Sequence, residues 1–120
     1  MPQTFDRTRD VKILSEMLIS HADWKVQLRT AARRGERLDV DAVGQIEGCA
    51  MGRWIAEKGH GASGFDELEA AHNDFHKEAA LVATMCNTGD HHMAEAMLAS
   101  GTPFARATAA IRTALLRLGR

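Results

Sequence analysis

The chain has 120 residues, of which 45% are hydrophobic and 26% are charged, a composition typical of one soluble globular domain. Fifteen basic and sixteen acidic residues give a formal net charge of -1, so composition gives no support for binding to nucleic acid or to an anionic membrane. No apolar run is long enough to span a bilayer and no secretory signal is visible, so we expect a cytoplasmic protein.

Proline occurs only twice, helix-forming residues are plentiful and no stretch alternates β-branched residues, so the sequence predicts an all-α fold. The first helix is predicted over about residues 5–34, where apolar side chains recur at three- and four-residue steps. His21 falls in the middle of that apolar stripe, and Trp24 follows it. Gly35 is the predicted end, because glycine readily adopts the left-handed conformation found at helix C-termini.

A shorter second helix is predicted over about residues 41–58, with Cys49 on its inner side. Gly48 and Gly52 flank this cysteine. Because glycine inside a helix costs about 1 kcal/mol relative to alanine, the pair indicates a close backbone approach or an irregular turn. The glycine-rich residues 59–64 are predicted to form a loop.

The third predicted helix, over residues 65–86, is the segment around which the chain is organised. Its apolar stripe includes two histidines, His72 and His76. Residues four apart are neighbours on a helix surface, which places both imidazoles within reach of one metal ion.

Two further helical segments are predicted after a break at residues 87–90, the last over about residues 103–118. Proline at position 103 suits the first turn of that helix. With no repeat and no second domain, residues 1–120 are predicted to form one domain. The expected architecture is an antiparallel four-helix bundle, built from four or five helical segments. The inward-facing sides of its helices can hold a metal ion in the core.

Metal-ligating side chains occupy core-facing positions in three separate parts of this predicted bundle: His21, Cys49, His72 and His76. Neutral imidazole and thiolate are ligands that zinc prefers, usually four of them in a tetrahedron. Four protein ligands leave no open coordination position, so we expect no enzyme and no catalytic residue. The competing interpretation is structural, with hydrogen-bonded core histidines and a buried cysteine acting as a small apolar residue.

Three short motifs follow one another along the chain: His21-Ala22-Asp23-Trp24, Cys49-Ala50-Met51-Gly52-Arg53-Trp54 and His72-Asn73-Asp74-Phe75-His76. Together they resemble the chemoreceptor zinc-binding (CZB) domain family, whose pattern is His-x-x-Trp, Cys-x-Leu-Gly-Lys-Trp and His-x-x-Phe-His. Met51 stands in place of leucine and Arg53 in place of lysine, and neither position is a ligand. The resemblance covers most of the chain.

The resemblance implies a four-helix bundle that holds zinc through three histidines and one cysteine and is usually dimeric and cytoplasmic. Such domains regulate chemoreceptors or enzymes that make or degrade cyclic di-GMP, and they respond to zinc or to oxidants such as hypochlorous acid. This chain has no room for an output domain, so either it acts in trans on a partner or it is one excised domain; of the two, Met1 favours a complete small protein. We therefore expect a homodimer that acts in trans on a bacterial signalling partner, with Cys49 as its redox switch.

Two other functions are compatible with helices of this kind. A histidine phosphotransfer bundle would use His76, but it needs that side chain to be exposed. A purely structural dimerisation bundle would leave the polar side chains on the apolar stripe unexplained. A third alternative, a di-iron bundle, is disfavoured because it requires inward glutamates, whereas we expect Glu67, Glu69 and Glu78 to point outward. Cys86 is expected to be a cysteine of the core.

Overall fold

Helices provide all the regular secondary structure in a computed structural model of the chain, which describes residues 6–44, 49–58 and 63–119. The all-α prediction is therefore confirmed for this part of the chain. The helices are α1 (Arg7–Arg34), α2 (Val40–Gly44), α3 (Ala50–Lys58), α4 (Phe65–Asn87), α5 (His91–Ala96) and α6 (Pro103–Arg117).

The ends of the long helices lie where the sequence places them. At the start of α1 the side chain of Asp6 accepts a hydrogen bond from the backbone N–H of Arg9, at 3.0 Å. The same helix stops at Gly35, whose φ of 68° lies in the left-handed region, as predicted. Pro103 opens α6 behind Thr102, whose hydroxyl accepts from the N–H of Ala105.

The prediction of one continuous helix over residues 41–58 is wrong at Cys49. This residue lies in a bend directly before α3, and its carbonyl accepts the backbone N–H of Arg53 at 2.9 Å. The bend lets the Cys49 side chain reach α1 and α4 while α2 remains packed against α4. Gly48, the predicted helix start at residue 5 and most of the predicted loop over residues 59–64 lie outside the described residues.

The helices run in alternating directions, which confirms the predicted antiparallel four-helix arrangement. The ends of α1 and α4 lie together, because Asn87 exchanges two hydrogen bonds of 2.7 Å with the backbone of Leu38. The end of α6 meets the start of α4, where the N–H of Gly119 donates to the carbonyl of Ser63 at 2.8 Å. Helices α2 and α3 together form the second member of the bundle, and the short α5 packs on α1 through an ion pair between Arg33 and Glu95.

Helix α4 supplies the centre of the core. Its buried stripe agrees with the predicted one and contains Phe65, Leu68, Ala71, His72, Phe75, His76, Ala79, Val82, Ala83 and Cys86. Phe75 packs against Phe104 of α6, with ring centroids 5.5 Å apart. Cys86 is buried, as expected for a core cysteine. Among the described helices none has the length and apolar character needed to cross a membrane.

A buried carboxylate, which the sequence pattern did not reveal, lies near the start of α1. Asp10 is only 1% exposed and accepts hydrogen bonds from the backbone N–H of Asp6, at 2.8 Å, and from the guanidinium of Arg9, at 3.1 Å. Burial raises the pKa of Asp10, but the hydrogen bonds from Arg9 and Asp6, with a smaller contribution from Trp54, outweigh burial and hold the pKa below its ordinary value. The Asp10 carboxylate thus holds the first turn of α1 together.

Replacing Asp10 by asparagine should lower the free energy of unfolding by about 1–3 kcal/mol at pH 7, because the backbone N–H of Asp6 and the guanidinium of Arg9 lose a charged acceptor. The folded-state pKa of Asp10 is depressed, so its stabilisation is complete above the ordinary aspartate pKa of about 3.9 and disappears as pH falls through the folded value. Urea unfolding at several pH values measures this. The difference between wild type and D10N should shrink below about pH 4, whereas E16Q, at an exposed position of α1, should differ little at any pH.

Candidate metal centre

The four residues predicted as ligands converge at one point inside the bundle. His21 comes from α1, Cys49 from the bend before α3, and His72 and His76 from α4. One ligand atom from each residue lies within 4.8 Å of the ligand atoms of the other three. The three histidines are buried and the cysteine is half-buried.

Two of the histidines are oriented by backbone carbonyls. Nδ1 of His21 lies 2.9 Å from the carbonyl oxygen of Met17, one turn earlier in α1. Nδ1 of His76 lies 2.9 Å from the carbonyl oxygen of Val43 in α2. Since a carbonyl oxygen only accepts, both Nδ1 atoms carry the proton and both Nε2 atoms keep their lone pair for a metal. The sequence analysis missed both carbonyl acceptors. The one at Met17 could have been found, because it lies four residues before His21 in the same helix, whereas Val43 belongs to another helix.

The distances within the cluster fit a tetrahedral zinc site. Sγ of Cys49 lies 3.3 Å from Nε2 of His21 and 3.5 Å from Nε2 of His72. Tetrahedral bonds of the usual zinc–nitrogen and zinc–sulfur lengths would place sulfur and nitrogen about 3.5–3.6 Å apart. Nε2 of His76 is buried without a hydrogen-bond partner among the described residues. A buried nitrogen that lacks a hydrogen-bond partner, next to a cysteine sulfur, offers the two kinds of ligand atom that zinc prefers.

The cluster favours an anionic sulfur even before a metal is considered. Burial raises the pKa of the Cys49 thiol, but its polar contacts with His21 and His72, the nearby imidazole of His76 and the backbone N–H of Gly52 outweigh burial and lower the pKa to about 3. Cys49 also directly precedes the N-terminus of α3, where the helix dipole favours negative charge. A thiolate at neutral pH is the form in which cysteine binds metals.

The imidazoles respond to this thiolate differently. Burial lowers the pKa of His21, but its hydrogen bond with Cys49 outweighs burial and raises the pKa above its ordinary value. Burial lowers the pKa of His72, and this effect prevails over its bond with Cys49. The contact with Cys49 thus raises the pKa of His21 above its ordinary value, whereas burial keeps the pKa of His72 below it.

The family assignment rests on a sequence profile that matches residues 21–83, more than half of the chain, and is described as the chemoreceptor zinc-binding domain. The chain belongs to the chemoreceptor zinc-binding domain family. The matched segment begins at His21 and includes Cys49, His72 and His76, so the four converging residues all lie within it. No curated protein and no solved structure matches the chain. Membership identifies a regulatory zinc-binding family, and a His3Cys metal site of the kind that zinc prefers is consistent with it.

Other residues considered in the sequence lie away from this centre. Cys86 is ten residues beyond His76 in α4, a rise of roughly 15 Å. Glu67 is exposed and paired with Arg117, and Glu78 is half-buried without contributing to the cluster. His76 itself is only 3% exposed, which argues against the histidine phosphotransfer alternative because a phosphoryl donor cannot reach a buried imidazole.

Alanine in place of Cys49 or of His72 should reduce the metal content from about one zinc ion per chain to nearly none, because fewer ligands remain. Elemental analysis of protein purified without a histidine tag gives the stoichiometry. The control is C86A, which removes the other cysteine and should keep the full metal content. Equal zinc in C49A, H72A and wild type would contradict the assignment of these ligands.

Proposed function

We propose that this chain is a zinc-binding sensory module that holds zinc through His21, Cys49, His72 and His76 and signals through Cys49. The observation that carries the proposal is the convergence of four ligand atoms within 4.8 Å of one another, in a chain of the chemoreceptor zinc-binding domain family. Zinc, when bound, would neutralise the thiolate and connect α1, α4 and the start of α3. Four protein ligands leave no position for substrate or water, which supports a regulatory role and not an enzymatic one.

The stimulus that we propose is a change in zinc level or an oxidant such as hypochlorous acid. Cys49 suits both stimuli, since it is the only member of the cluster that is not fully buried and its thiol is deprotonated at neutral pH. In the oxidant reaction the thiolate sulfur forms a bond to the oxygen of hypochlorous acid, the oxygen–chlorine bond breaks and chloride leaves. The sulfur loses two electrons and becomes a sulfenic acid, which is a poor metal ligand.

The output that we propose is a movement of the segment that carries Cys49. This residue lies in a bend, and only one hydrogen bond, from Arg53 to its carbonyl, is described between its backbone and α3. Loss of the thiolate would release the N-terminus of α3 from α1 and α4 while Val43 still holds His76. A cytoplasmic partner in chemotaxis or cyclic di-GMP signalling, acting in trans, would read this change; the family supports that choice of partner.

Hypochlorite should oxidise Cys49 before Cys86 and release zinc in parallel. The reason is that Cys49 is half-buried with a low thiol pKa, whereas Cys86 is buried and burial raises its pKa. A chromogenic chelator follows the metal, and mass spectrometry of peptides locates the added oxygen. C86A should behave as wild type. Zinc release from the wild type without oxidation of Cys49 would rule out the cysteine switch and leave zinc level as the stimulus.

We also propose a homodimer that pairs through an exposed apolar face of α1. Ile19 and Val26 are 67% and 61% exposed and lie seven residues apart, on the same side of that helix. Beside Ile19, a groove of about 440 Å³ separates α1 from α6 and is lined by Ala22, Phe104 and Ala109, among others. Small residues along such a groove permit the close approach of another helix.

Sedimentation equilibrium should show a dimer for the wild type and a monomer for the double variant I19E/V26E, because buried carboxylates on this face would oppose association. L81E introduces the same charge at another exposed apolar position, on α4, and should remain dimeric. A dimeric I19E/V26E protein would show that the interface lies elsewhere, and a monomeric wild type would end the dimer proposal.

A further inference from the structure

His72 differs from the other two histidines of the cluster in its second ring nitrogen. His21 and His76 each direct Nδ1 to a backbone carbonyl at 2.9 Å. Nδ1 of His72 is buried and has no hydrogen-bond partner among the described residues, although the residue itself is 0% exposed. Since histidine ligands almost always donate from the second nitrogen to a carboxylate, a carbonyl or water, His72 requires an acceptor.

A cavity of about 200 Å³ lies between α3 and α4, and His72 forms part of its wall. Nε2 of His72 faces Cys49, so Nδ1 is the nitrogen that the cluster does not use. The rest of the wall comes from Gly52, Arg53, Ile55, Ala56 and Glu57 on α3, and from Glu69 and Asn73 on α4.

Glu69 is the acceptor that this cavity offers to His72. It lies three residues before His72 in α4, so the two side chains are neighbours on one helix face. Glu69 is half-buried and forms no ion pair among the described residues, whereas Glu67 and Glu95 are paired with arginines. Glu57, the other carboxylate of the cavity, is exposed on the opposite helix.

We propose that Glu69 is a positioning residue for the metal centre, and that its carboxylate accepts the Nδ1 proton of His72. This would fix the tautomer that leaves Nε2 free for the metal and would increase the basicity of the imidazole. Nδ1 of His72 is closed to solvent, so the acceptor must be a side chain, and Glu69 can turn towards the ring across one helical turn. The inference rests on the proposed zinc-binding function.

The test compares zinc affinities of E69A, E69Q and E57Q with that of wild type, by competition with a fluorescent chelator. Loss of such an acceptor typically weakens metal binding about 10- to 100-fold, and we expect a fall of that size in E69A. E69Q should fall less, because its amide oxygen still accepts a hydrogen bond. E57Q removes the same charge from the opposite wall of the cavity and should bind as wild type does.

A second readout separates positioning from a general effect on folding. In the zinc-loaded wild type the Nδ1 proton of His72 should give an exchange-protected NMR signal, which E69A should lose while metal-free E69A unfolds at the wild-type temperature. Wild-type affinity in E69A, or an equal loss in E57Q, would overturn this inference while the zinc site itself stands. A wild type that binds no zinc would overturn both proposals.

Discussion

The structure is organised around a buried polar cluster, and burying such a cluster is costly unless a cation binds to it. Three imidazoles and a thiol meet among apolar side chains, and two of the imidazole nitrogens lack hydrogen-bond partners among the described residues. Each unsatisfied polar group in such a place costs roughly 1–3 kcal/mol. A cation would satisfy Nε2 of His76 and the thiolate at once, so metal binding and the stability of this part of the bundle are expected to be coupled.

Three separate parts of the bundle carry the four candidate ligands. Helix α4 provides two ligands through the four-residue spacing alone, and α1 provides the third from the middle of its buried side. The fourth ligand needs a departure from regular structure. Cys49 lies in a bend, and its Sγ lies 3.3 Å from Nε2 of His21 and 3.5 Å from Nε2 of His72. The sequence analysis expected a regular helix through this residue. Helix α6 brings no ligand but packs Phe104 against Phe75, which in turn lies beside His21.

Sequence periodicity was sufficient to predict most of the architecture, for clear physical reasons. The stripe of α4, the stop at Gly35 and the start at Pro103 follow from helix geometry and backbone sterics, which act locally. The glycines on either side of Cys49 allowed an irregular turn there, but periodicity alone favoured a continuous helix and did not place the bend. The burial of Asp10 was missed because its neighbour Trp54 comes from α3, and local pattern does not contain contacts between helices. Likewise, the sequence could not reveal that Val43 orients His76, because the acceptor is a backbone carbonyl, which every residue carries.

The unequal exposure of the four candidate ligands supports the proposed role of Cys49 as the residue that switches the site. The histidines are held by burial and two of them by backbone carbonyls, so they form the fixed part of the site. Cys49 is half-buried, lies outside regular helix and carries the only side chain of the set that small oxidants convert reversibly into a poor ligand. Under the proposed switch, a reversible change at Cys49 would alter the coordination while leaving the histidines in place. The bundle would return to its original state once the thiol is reduced, which a regulatory domain requires and a purely structural zinc site does not.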